Sequence, residues 1–176
     1  MSEWVESFRE DINALVKVVD TEAVPEDARK YAAAALNYLV TRMDLIPDWT
    51  ETIGVVDDVL VLRTCVALAA TYGLAENLED ADAIVAVGRL TNEADRIGDI
   101  LGHDLAAKLR KHCARMTDTA VRGRTPAAIV ADPELRAKLY EEIQHDLNRM
   151  PASSFKDADG VSARLKSYLH AKLKDL

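Results

Sequence analysis

This chain of 176 residues has little sulfur, few aromatic rings and few turn formers: two cysteines, two phenylalanines, two tryptophans, seven glycines and five prolines. Cys65 and Cys113 stand far apart with no CxxC pair, so neither a disulfide framework nor a structural zinc site is suggested, and a reducing, cytosolic compartment fits. A long apolar run is also absent. The longest weakly charged one, 64–75, covers 12 residues, whereas a membrane-spanning helix needs about 20. The opening MSEWVESFREDINALVKVVD carries acids every few residues and lacks the basic start and apolar core of a signal peptide, so export is not expected. Base is in deficit too. A formal net charge of −8 and a pI near 5.0 argue against broad nucleic-acid binding, which needs a basic face to neutralise phosphate. Finally, no strict apolar/polar alternation lies between hairpin turns, which leaves little basis for a sheet.

What is present is helix-forming. Ala, Leu, Glu, Lys and Arg dominate a chain that is 49% hydrophobic, enough for one domain with a proper core. The expectation is an all-α protein of about six to eight helices in a compact orthogonal or bundle-like arrangement. A helical domain would occupy 1–150, followed by a linker-like segment at 151–160, PASSFKDADG, and an amphipathic C-terminal helix at 161–176. Over 3–19, Trp4, Phe8, Ile12, Leu15 and Val19 form one apolar stripe at helical spacing. A second helix starts with Pro25 at its first position, contains four consecutive alanines and should end near Met43, because Pro47 disfavours helix just before it. A third, 55–72, is apolar nearly all round and ends near Gly73. Further helices are expected at 79–101, 104–119 and 133–149, with a turn at 122–126 and a short helical piece after it.

One segment departs from this routine. TRMDLIPDWTETIGVVDDVLVLRTC, 41–65, places Asp44, Asp48, Glu51, Asp57 and Asp58 close together with no base among them, beside strongly apolar sequence. Asp57 has Val61 and Thr64 as helical neighbours, and Asp58 has Val61 and Leu62, so both acids fall on surfaces that should be at least partly buried. A buried carboxylate must be paired, hydrogen-bonded, metal-bound or protonated. Two readings follow. In the preferred one the acids cap and brace the helix connection, accepting backbone N–H groups of the DLIPD loop or pairing with Arg42 or Arg63. In the other, Asp44, Asp48, Asp57 and Asp58 supply the oxygens of a Mg²⁺ or Ca²⁺ site. Their spacing fits neither an EF-hand nor an HExxH motif.

The stretch ARKYAAAALNYLVTRMDLIPDWTETIGVVDDVLVL resembles the YkvA-like family of small helical domains of unknown function, marked by D-L-I-P-D, a glycine and then D-D at fixed distance. Asp44, Leu45, Ile46, Pro47, Asp48, Gly54, Asp57 and Asp58 match that pattern, and the match spans about 28–70. The resemblance implies a helical hairpin with an acidic connection, with Pro47 and Gly54 as its structural residues, and brings no activity with it. Arg42, Trp49 and Glu51 depart from the usual residues and make the connection more polar, which counts against the membrane association suggested for many members.

Other chemistry is thin. His103 and His112 fall on opposite faces of one helix and cannot share a metal. DADG at 157–160 starts like a calcium loop but meets Val161 and Tyr168 where ligands are required. Charge is uneven: 76–104 carries net −6 and 108–124 net +5. Arg110, Lys111, Arg115, Arg122 and Arg124 are therefore candidate anion-binding residues, although a solvated face complementing the acidic stretch explains them more simply. Leu165, Leu169, Leu173 and Leu176 line one side of the basic C-terminal helix, a face for docking on the core in preference to a membrane surface. The function expected is a cytoplasmic structural or interaction module, with a protein partner or a second copy, no nucleic acid and no cofactor. The alternatives are a Mg²⁺- or Ca²⁺-dependent phosphate-ester hydrolase and a peripheral membrane protein.

Overall fold

The computed structural model describes residues 2–41, 45, 54–149 and 158–174. Ten α-helices lie among them: α1 Ser2–Glu6, α2 Phe8–Asp20, α3 Glu26–Tyr38, α4 Gly54–Ala70, α5 Ala81–Asp95, α6 Ile97–Leu101, α7 His103–Met116, α8 Pro126–Ala131, α9 Pro133–Arg149 and α10 Ala158–Lys172. The architecture is all-α. The number exceeds the six to eight expected because two expected helices are each broken once, at Ser7 and at Arg96. At Ser7 the ladder survives the break: its N–H donates to the Glu3 carbonyl at 3.1 Å and its own carbonyl accepts from Asp11 N–H at 2.9 Å. The apolar stripe therefore persists across the kink, and Trp4, Phe8, Ile12, Leu15 and Val19 are all buried.

The two helices at the centre are the ones with least room for solvent. Ala32, Ala33, Ala34 and Ala35 are buried in α3, and their small side chains let α2, α4, α7 and α8 all pack against that one helix. Helix α4 is buried at every residue from 56 to 66, as an apolar surface on all sides requires. It meets α3, α5 and α7.

Two boundaries differ from the sequence expectation. Pro25 is the residue before the first helical turn, with φ −51° and ψ 139°. Helix α3 ends at Tyr38, well short of Met43, and Thr41 N–H closes a tighter turn on the Tyr38 carbonyl at 2.8 Å. The chain must leave the helix there for Leu45, seven residues on, to return to the Tyr38 ring. At the far end of α4, Gly73 takes φ 74° and its N–H donates to the Ala70 carbonyl at 3.2 Å, the left-handed stop that favours glycine.

The later helices cover this centre. Asp80 caps α5 by accepting from Ala83 N–H at 2.9 Å, and Thr125 caps α8 by accepting from Ala128 N–H at 3.2 Å. Of the linker-like segment, 151–157 lie outside the described residues, and 158–160 already belong to α10. Helix α10 packs on α6 and α7 and buries Leu165, Leu169 and Leu173, while Leu176 lies outside the described residues. Its apolar side is thereby spent on the core. Leu169→Ala is expected to lower the unfolding free energy by about 2–5 kcal/mol in urea titration, whereas an unchanged midpoint would mean that α10 does not dock in solution.

Candidate functional site

The acidic motif meets the fold at the end of α3. Tyr38, in the last turn of α3, donates its hydroxyl hydrogen to Asp57 Oδ2 at 2.7 Å, and the Tyr38 hydroxyl oxygen itself accepts Leu45 N–H at 2.9 Å. One hydroxyl thus joins the carboxylate of α4 to the backbone of the connection. Tyr38, Leu45, Asp57 and Asp58 are all buried, Asp57 completely. A buried hydrogen bond to a charged group contributes about 1.5–3 kcal/mol and offsets part of the cost of holding a carboxylate away from water. Burial first, then the charges of Asp57 and Asp58, push the Tyr38 hydroxyl well above its ordinary range, so it keeps the proton it donates.

Of the residues singled out in the motif, Asp44, Pro47 and Asp48 lie outside the described residues, together with Arg42, Trp49 and Glu51, and Gly54 opens α4. The described part of the metal reading is therefore Asp57 and Asp58. A divalent ion at Asp57 would have to compete with the Tyr38 hydroxyl for Oδ2. Among the described residues, no group of three or more His, Cys, Asp or Glu is placed to hold a metal ion.

Arg63 does not turn to the motif acids, which corrects that part of the sequence reading. At 100° per residue it projects about 120° away from Asp57 and about 140° from Asp58 around α4, towards α2 and α5. There it meets Asp11 (Nη2 to Oδ2, 3.3 Å) and Glu93 (Nη2 to Oε2, 2.7 Å; Nε to Oε2, 2.8 Å). Arg89 pairs with both Asp11 and Glu93, and Ser7 Oγ bridges Arg89 at 3.0 Å to Asp11 at 3.1 Å. The Arg63 guanidinium also lies 4.6 Å from the Trp4 ring centroid, a cation–π contact inside the core. Two cations balance two anions. Burial raises the Asp11 carboxyl above its ordinary value of 3.8 even against the pull of Arg89 and Arg63.

The basic stretch divides in two. Arg122 and Arg124 flank a tight turn, with φ 49° at Arg122 and 78° at Gly123, and both are held by Glu142 of α9, at 3.0 Å and 2.7 Å. Arg124 is itself buried, and its carbonyl accepts from Asn37 of α3 at 3.1 Å. Arg110, Lys111 and Arg115 are exposed on α7. Arg110 borders a cleft of about 190 Å³ between α4, α5, α6 and α7, with Asp95 among the other lining residues.

Residues 28–63 match a protein family of unknown function, DUF1232. The YkvA-like resemblance is consistent with that family. The matched segment contains α3 from Ala28 on, with Tyr38, Leu45, Asp57 and Asp58, so the hydroxyl relay lies wholly inside it. Its last residue is Arg63, whose ion-pair partners Asp11 and Glu93 come from outside. No curated protein and no solved structure matches the chain.

Sequence reasoning missed Tyr38, Asp11, Arg89 and Glu93. A signal existed for Asp11: it stands on the buried side of the stripe formed by Trp4, Phe8, Ile12 and Leu15, where an acid demands a partner. Two outcomes follow from these ion pairs. Arg63→Met leaves buried Asp11 and half-buried Glu93 with Arg89 alone, and should cost about 3–5 kcal/mol in urea unfolding. Adding Asp11→Asn to that variant should recover part of the loss, which a double-mutant cycle reads directly. The hydrogen bond from Arg124 holds the Glu142 carboxyl below its ordinary value of 4.5, so this pair stabilises fully above that value and its contribution is lost as pH falls through the folded-state value. Glu142→Gln should therefore lower the melting temperature at pH 7 and flatten its decline on acidification.

Proposed function

We propose that the DUF1232 segment is a structural and interaction module whose acids brace the connection between α3 and α4, and that the chain acts through a protein partner or a second copy in the cytoplasm. What supports this reading is the use to which Asp57 is put: its Oδ2 takes the Tyr38 hydroxyl, which in turn receives the Leu45 amide. In this role the carboxylate does no chemistry. Through Tyr38 it ties Leu45, in the connection, to both α3 and α4. Asp58, also buried and next along α4, belongs to the same acidic pair of the motif.

Tyr38→Phe is the sharpest test, because it removes one oxygen and leaves the ring. It strips Asp57 Oδ2 and Leu45 N–H of their shared partner and should cost about 1–3 kcal/mol. Asp57→Asn should cost a comparable amount. Under the brace reading, neither wild type nor variants gain melting temperature from millimolar Mg²⁺ or Ca²⁺. A metal-dependent rise in wild type that Asp57→Asn abolishes would sink the brace in favour of the divalent-metal alternative.

A further inference from the structure

The cleft that Arg110 borders, about 190 Å³ between α4, α5, α6 and α7, is of a size to hold one small molecule. An apolar cavity of about 150 Å³ takes benzene, so this one suits a molecule of amino-acid size. Its walls are four alanines, a glycine and Ile97, with three polar residues among them: Thr64, Asp95 and Arg110. Thr64 and Ile97 are buried and form the floor, whereas Asp95, Ala107 and Arg110 are exposed, so the cleft opens on its α5–α7 side.

Asp95 and Arg110 bring opposite charges to this cleft, yet neither forms an ion pair or a side-chain hydrogen bond with a described residue. Their own helices offer no partner. One turn from Asp95 stand Thr91, Asn92, Gly98 and Asp99, and one turn from Arg110 stand Ala106, Ala107, Cys113 and Ala114. Asp95 is also the last residue of α5, whose final turn has no base, so it sits against the negative end of the helix dipole. Arg96 beside it is engaged elsewhere, with its guanidinium 5.9 Å from the Trp4 ring centroid. Two opposite charges that line one small cleft without pairing fit a single molecule that carries both complements.

We propose that this cleft binds a free α-amino acid with a small aliphatic side chain, as its zwitterion. The ligand carboxylate accepts from the planar Arg110 guanidinium, whose fork matches its two oxygens, and the ligand ammonium donates to the Asp95 carboxylate. Thr64 already gives its hydroxyl hydrogen to the Leu60 carbonyl at 2.8 Å, so its oxygen can serve a ligand only as an acceptor, which again suits an ammonium. The alanines and Ile97 receive the side chain, and the volume limits its size. A molecule seated there touches four helices at once and stabilises their packing.

The full chain, labelled with ¹⁵N, is titrated with L-leucine while backbone amide shifts and the melting temperature are followed. Saturable shifts should gather around the cleft, Gly98 and Ala107 among them, and the melting temperature should rise with leucine concentration. L-leucinamide, whose carboxylate is masked, and N-acetyl-L-leucine, whose ammonium is masked, should each bind at least about tenfold more weakly. Arg110→Gln and Asp95→Asn, both at exposed positions, should weaken leucine binding to a similar extent without lowering the melting temperature of the free protein. Ala107→Phe should block the cleft with both charges intact. Shifts that never saturate, or that spread over the whole chain, would overturn the proposal. Leucinamide or acetyl-leucine binding as tightly as leucine would overturn it in favour of a peptide end, and so would an Arg110→Gln protein that binds leucine as wild type does. The wild-type titrations with the three ligands decide the matter even where a variant fails to fold.

Discussion

A helix with no solvent face cannot leave a charge to water, and α4 carries three: Asp57, Asp58 and Arg63, all buried. What surrounds α4 is dictated by that constraint. On one side Asp57 draws in a phenol, and the phenol in turn secures a backbone amide of the connection. On another, Arg63 draws in two carboxylates, a second arginine, a serine and a tryptophan face. Apolar burial would let α4 rotate or slide with little penalty, since its surface is hydrophobic all round. Desolvated charges do not allow this: a turn of a third of a revolution would trade Arg63 for Asp57 at the α2 and α5 interface, leaving acid against acid.

The alanines of α3 are the counterpart of this arrangement. Four helices can pack on α3 because Ala32–Ala35 keep its surface narrow, yet alanine gives no orientation of its own. The orienting groups sit at the end of the run, where Asn37 donates to the Arg124 carbonyl and Tyr38 donates to Asp57. One residue ties α3 to the turn before α8 and the next ties it to α4. Directional bonds at Asn37 and Tyr38 thus set the registers that the alanine run leaves open.

Much of this was legible in the sequence. The stripe through Trp4, Phe8 and Ile12, the all-round burial of α4, the stop at Gly73 and the docking of Leu165, Leu169 and Leu173 all follow from local spacing, which decides which side chains share a face. The burial of Asp57 and Asp58 was legible for the same reason. Their partners were not. Tyr38 looks like one more large residue at the end of a helix, and Arg63, though only five residues after Asp58, points about 140° away from it around α4. Which of two faces an arginine chooses depends on what other helices bring to it, here Asp11 and Glu93 from 52 residues before and 30 after.

The two sides of α4 also separate the segment that matches the family from the unit that folds. Residues 28–63 contain the whole relay through Tyr38, so Asp57 Oδ2 is satisfied within the matched span. At the end of that span Arg63 is not, because both of its carboxylate partners lie outside it. A segment of this length falls below the size, about 40 residues, at which a single core usually holds without help. Cut out alone, it would also expose α4 on the faces that α1, α5 and α7 cover and strand a guanidinium that has no solvent route in the folded chain. The hairpin and its acids are therefore a motif set into a larger fold. Asp57 binds the motif together, and Arg63 binds it to the helices around it.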